Sequence, residues 1–133
     1  MLRQIEFSLF DFMIHKDYNA KNPEDVLTTI TELRKKLSVI PSTPYNRFPQ
    51  AFSHIFAGGY AAGYYSYKWA EVLSSDAFSK FEEEGILNEK TGKAFLTQLL
   101  SRGSSRSALA SFIAFRGREP SIDALIRHNG ITG

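Results

Sequence analysis

The sequence predicts an all-α protein, and three observations carry that prediction. Apolar residues recur at helical spacing in several segments, conventional start and stop residues punctuate those segments, and no stretch alternates apolar and polar residues as a strand would. The length of 133 residues fits one domain, so a single helical unit over residues 1–133 is expected.

Residues 1 to 15 are densely apolar, with Leu2, Ile5, Phe7, Leu9, Phe10, Phe12, Met13 and Ile14. Such a helix is apolar around much of its circumference, which implies burial on several sides. It is either the centre of a small bundle or a piece of something larger, and the pattern leaves both open. Asn22-Pro23-Glu24-Asp25 reads as a helix start, with a cap residue, a proline in the first turn and acids near the positive end of the dipole. Val26, Ile30, Leu33 and Leu37 follow on one stripe. Pro41, Pro44 and Pro49 allow no long helix between residues 38 and 51. Gly58-Gly59 precedes a long helical stretch whose Trp69, Val72, Leu73, Ala77 and Phe81 share a side, with Gly85 placed to end it. Asn88 and Ser107 are placed to cap two further helices, and Glu119-Pro120 to start the last one, which carries Ile122, Leu125 and Ile126.

Composition excludes several function classes. Apolar residues make up 43% and charged residues 23%, as in a folded globular domain. No apolar run approaches the roughly 20 residues needed to span a bilayer, so no membrane partner is expected. Glu6 and Asp11 interrupt the apolar stretch nearest the amino terminus, so it does not read as a secretory signal, and a cytoplasmic location is expected. There is no cysteine, which removes disulfide and thiolate chemistry. The net charge is only +2 and the basic residues are scattered among acids, unlike the one-sided charge of a nucleic-acid module.

The segment that carries chemistry is Phe52-Ser-His-Ile-Phe-Ala-Gly-Gly-Tyr-Ala-Ala-Gly-Tyr-Tyr-Ser-Tyr67. On a helix at about 100° per residue, Tyr60, Tyr64 and Tyr67 fall within an arc of roughly 60°, and Tyr65 points elsewhere. His54 lies just before Gly58-Gly59, and Gly58, Gly59 and Gly63 leave the backbone free and open to a ligand. A neutral phenol donates one hydrogen bond, so several phenols on one face suit an oxygen that becomes an anion, and a histidine beside them can donate to a peptide carbonyl. An aromatic stripe at helical spacing also serves as core, and His54 beside Phe52, Ile55 and Phe56 as a structural histidine. Both readings stand at this point.

Phe52 through Tyr67, followed by Lys68-Trp69-Ala70-Glu71-Val72, resembles the carboxy-terminal signature of the thimet oligopeptidase family of zinc peptidases. The resemblance continues through Asp76–Gly85, returns at Phe115-Arg-Gly-Arg-Glu-Pro120 and runs through Asp123-Ala-Leu125 to Gly130-Ile131. Met1-Leu-Arg-Gln and Leu9-Phe-Asp-Phe12 also look like family sequence, whereas residues 101 to 111 depart from it. The resemblance implies an almost wholly helical fold, here a bundle forming the carboxy-terminal part of a zinc metallopeptidase catalytic domain. It implies short peptides as substrates, cut at internal bonds. It also implies roles: Tyr64 and Tyr67 face the scissile carbonyl, His54 and Tyr60 contact the peptide, and Gly58 and Gly59 belong to a mobile loop beside them.

Such enzymes hold zinc through the two histidines of an H-E-x-x-H helix and a glutamate on a following helix, the motif glutamate being the general base. This sequence has no such motif: His15, His54 and His128 are followed by Lys16, Ile55 and Asn129. Glu82-Glu83-Glu84, at a helix end, reads as a solvated face. The expectation is therefore that no residue here ligates metal, that the zinc belongs to a parent enzyme, and that the chain is inactive alone and prone to self-association through its first helix. The rival expectation is a stand-alone helical interaction module that performs no hydrolysis.

Overall fold

A computed structural model describes residues 1–131, and all regular structure among them is helical, as the periodicity predicts. The chain forms two compact units, Met1–Lys68 and a second that begins at Trp69.

In the first unit, α1 (Leu2–Asp17) and α2 (Asp25–Leu37) pack along each other. Phe7, Phe10 and Ile14 of α1 meet Ile30 and Leu33 of α2, and Val26 and Leu37 flank them. Two single-turn helices, α3 (Phe48–Ala51) and α4 (Ser53–Phe56), follow the proline-rich segment. Phe48 and Phe52 close the core from that side, the Phe7 and Phe48 rings stacking at 4.4 Å and the Phe48 and Phe52 rings lying 4.7 Å apart. Edge and offset contacts of this kind add to what aromatic burial alone contributes. Arg34 of α2 bonds Glu6 of α1 at 3.0 Å and lays its guanidinium over the Phe48 ring at 5.4 Å.

Two expectations for this unit need correction. α1 is not buried on several sides, because α2 and the aromatic rings cover one stripe and leave Leu2, Leu9, Phe12 and Met13 exposed. Asn22 does not cap α2; Glu24 stands at that position without a side-chain bond, and the Asn22 carbonyl accepts the Asp25 N–H at 3.0 Å instead.

The second unit contains α5 (Ser66–Glu84), whose first residues fall in the first unit, then α6 (Glu89–Phe95), α7 (Ala108–Arg116) and α8 (Asp123–His128). α6 runs on as a π turn over Leu96–Leu100. Ala77, Phe112 and Phe115 are its core, with Leu73, Phe81, Ala94, Phe95 and Leu99 against them. Trp69 was expected on this stripe but is 65% exposed, one turn before Leu73, the first stripe residue with core partners. Asn88 caps α6 by accepting from the N–H groups of Lys90 and Thr91, and Ser107 caps α7 by accepting from Ala110, as their residue types predict. α8 starts at Asp123 rather than at Pro120. Its lead-in is captured by the buried Asp76 carboxylate, which accepts the Ser121 N–H at 2.7 Å and two guanidinium N–H groups of Arg118 at 2.6 and 2.7 Å. Arg116 completes this hub, bonding Asp76 at 3.2 Å and pairing with Glu83.

Candidate functional site

The candidate residues lie where α4 turns into α5, all within the first unit. α4 is a single turn, and its end is bound tightly: the N–H groups of Ala57 and Gly58 both donate to the Ser53 carbonyl, at 2.7 and 2.8 Å, and Tyr60 N–H donates to His54 O at 3.1 Å. Gly58 is required by this wrap, because a Cβ there would stand 2.9 Å from the His54 carbonyl oxygen. Gly59 is required by its backbone, at φ +76°.

The sequence places Tyr60 and Tyr64 on a helix, and here the structure differs. Residues 60–65 form successive turns, and α5 begins only at Ser66. The reason lies outside the segment. The Asp11 carboxylate of α1, only 1% exposed, accepts the Ala62 N–H on Oδ1 and the Tyr64 N–H on Oδ2, each at 2.9 Å. Ala62 adopts left-handed backbone, φ 52°, which an L residue takes only when its surroundings hold it there. His15, one turn along α1, places Nδ1 2.9 Å from Asp11 Oδ1 and 2.8 Å from the Asp11 carbonyl oxygen. Both are acceptors, so Nδ1 carries the donated proton.

The turns nevertheless bring the predicted residues together. Ring centroids lie 5.0 Å apart for Tyr64 and Tyr67, 5.4 Å for Tyr60 and Tyr67, and 5.7 Å for His54 and Tyr64. His54 also lies within 6.4 Å of Tyr60 and 6.1 Å of Tyr67. Tyr64 is buried, with its ring against Phe52 at 4.9 Å and Phe7 at 5.8 Å, so it belongs to the core and to the phenol group at once. Tyr60 and Tyr67 are each 40% exposed, and His54 is exposed rather than set among apolar side chains. Tyr65 faces away and stacks on Phe12 at 5.2 Å. The Tyr67 phenol is hydrogen-bonded to Tyr60; that bond, with partial desolvation and the neighbouring phenols, raises its pKa above the ordinary 10.0. A phenol held this way stays neutral.

Asp11 and His15 are the residues that the sequence reasoning missed. Their signal was present: an acid and a histidine four apart on a densely apolar helix, where a buried carboxylate needs donors. The acidic run behaves as expected of an exposed face, each carboxylate with its own basic partner: Glu82 with Arg127 and His128, Glu83 with Arg116, Glu84 with Lys80. Among the described residues, no group of three or more histidines, cysteines or carboxylates could hold a metal ion. The zinc of the resembled family therefore does not fit this donor set: the ring neighbours of the exposed His54 are Phe52 and tyrosines, while His15 and His128 each meet one carboxylate. No helix among the described residues is long and apolar enough to cross a membrane.

Comparison with known proteins matches this sequence to a peptidase family. Residues 1–131 match the profile of Peptidase family M3. Oligopeptidase A of Escherichia coli is 56% identical over 133 residues, covering the whole of this chain and 20% of its own length, and oligopeptidase A of Salmonella typhimurium is 55% identical over the same span. The organellar oligopeptidase A of Arabidopsis thaliana, chloroplastic and mitochondrial, is 49% identical over 134 residues, covering 98% of this chain and 17% of its own length. The chain thus spans about one fifth of the length of the curated relatives it matches.

Proposed function

The chain belongs to peptidase family M3, and from that premise we propose that it is the carboxy-terminal segment of an oligopeptidase catalytic domain, the segment that holds a short peptide and stabilises the oxyanion formed during its hydrolysis. The observation that carries this reading is the meeting of three phenols and one imidazole at ring distances of 5.0 to 6.4 Å, with Tyr60, Tyr67 and His54 open to solvent.

In this reading Tyr64 and Tyr67 donate O–H bonds to the scissile carbonyl oxygen as it becomes an anion. Pre-placed donors of this type lower the barrier because their bonds strengthen as the charge develops. The Tyr67 O–H is shared with Tyr60 in the free chain and turns to the carbonyl oxygen when the peptide is bound. His54 and Tyr60 hold the peptide backbone at the edge of the phenol group. Gly58 and Gly59 give the intervening loop its tight path and its room to move. The metal ligands and the general base lie outside this chain, which is inactive alone. Its substrates are short peptides and its location is the cytoplasm.

The test is Tyr64→Phe and Tyr67→Phe in the full-length protein that carries this sequence. Each is expected to lower kcat about a hundred- to a thousandfold, with KM little changed and zinc content retained. Unchanged kcat in both variants would make these phenols structural.

A further inference from the structure

The tyrosines are held in place from α1, by a carboxylate that no part of the proposed chemistry uses. Asp11 carries no Lys or Arg partner among its described contacts. Its two oxygens instead receive three N–H donors: Ala62, Tyr64 and His15 Nδ1. Bonds to an ionised acceptor are the stronger kind, and a carboxylate so enclosed fixes whatever donates to it. Two of the three donors are backbone groups that flank Gly63, whose own N–H closes a turn onto the Tyr60 carbonyl at 2.8 Å. A helix would have directed these groups to carbonyls four residues back. Asp11 takes them instead and leaves Ala62 in left-handed backbone.

The consequence for the side chains is direct. With its N–H tied to Asp11 Oδ2, Tyr64 turns its ring inward onto Phe52 and Phe7, and Tyr67, one turn later, meets it at 5.0 Å. The Tyr67 N–H donates to the Tyr64 carbonyl at 3.2 Å, so the setting of one tyrosine passes to the next. We propose that Asp11, oriented by His15, is the positioning residue of this site: its carboxylate sets the loop conformation from which Tyr64 and Tyr67 present their phenols. The catalytic part of this inference rests on the oligopeptidase reading; the conformational part does not.

The experiment is Asp11→Asn in the full-length protein. Asparagine keeps the shape but turns an N–H group toward one of the two backbone donors. Two quantities are read: amide hydrogen exchange over residues 1–68, and kcat and KM for a short peptide. Exchange at residues 57–67 is expected to rise at least about tenfold while α1 and α2 stay within about twofold, because the clasp is local. kcat is expected to fall at least about tenfold with KM nearly unchanged, since misplaced donors cost most in the transition state.

Unchanged exchange at residues 57–67 overturns the proposal. So does a uniform rise over residues 1–68, which would make Asp11 a general stabiliser. A selective rise with unchanged kcat also overturns it if Tyr64→Phe or Tyr67→Phe lowers kcat. If Tyr64→Phe and Tyr67→Phe both leave kcat unchanged as well, the oligopeptidase reading of the phenols has failed, and the selective rise still supports the clasp. Should Asp11→Asn not fold, His15→Ala removes one donor and keeps the carboxylate. It is expected to move exchange and kcat in the same directions by several-fold, and His15→Gln, which restores a donor, to bring both back.

Discussion

Tyr67 shows how a neighbour two residue types alike can change what a side chain does. Its phenol is raised above the ordinary value first by its bond to Tyr60, then by partial desolvation and by the other phenols. The sign follows from the neutral form being favoured: deprotonation is resisted, so the arrangement is intact below pH 10 and is lost as pH rises through the raised value. Tyr60→Phe removes the bond but keeps the ring. Titration of Tyr67, followed by the NMR shift of its labelled ring, is expected to move down toward the ordinary tyrosine value in that variant. No movement would mean that the two phenols do not share a hydrogen bond in solution.

Elements answer to neighbours in sequence until a buried charge intervenes, and Asp76 makes that measurable. Burial alone would push its pKa up; the Arg118 guanidinium, the Ser121 N–H and Arg116 overcome this and hold it at about 2 against an ordinary 3.8. A depressed carboxylate contributes stability above its unfolded value and loses it as pH falls toward its folded one. Between pH 4 and 2 the second unit is therefore expected to lose about 1–2 kcal/mol through this residue. Urea unfolding of the native chain and of Asp76→Asn across that window checks it: the variant should be less stable at neutral pH and should lack this part of the acid loss. The same physics decides what was legible in the sequence. Asn88 and Ser107 act on N–H groups two or three residues away, so their residue types announce their caps. The grouping of Tyr60, Tyr64 and Tyr67 was also legible, although the helix invoked for it was not there. That helix and the early start of α8 failed where a carboxylate far along the chain takes backbone donors: Asp11 at Ala62 and Tyr64, Asp76 at Ser121. Periodicity counts neighbours three and four residues away and has no view of an acceptor 50 residues off.

At the scale of the whole molecule, the exposed side of α1 is the feature with consequences. Leu2, Leu9, Phe12 and Met13 are all at least a third exposed on one helix, and each apolar Å² removed from water contributes roughly 25 cal/mol. In the proposed parent enzyme, further chain is expected to cover this side. The 133-residue chain by itself is expected to bury it against a second copy, so that light scattering at tens of micromolar gives a mass above 15.0 kDa. Leu9→Glu with Met13→Lys should return it to that mass, and a native chain that stays monomeric would contradict the expectation. Within the same unit, Tyr64 sits where two demands meet, its ring in the aromatic core and its hydroxyl among the phenols. On the proposed chemistry, selection on folding and selection on catalysis then fall on one codon. A change to phenylalanine forfeits the donor and spares the interior, whereas a change that keeps a hydroxyl without the ring forfeits the interior, so phenylalanine is the replacement open to any descendant that abandons the chemistry.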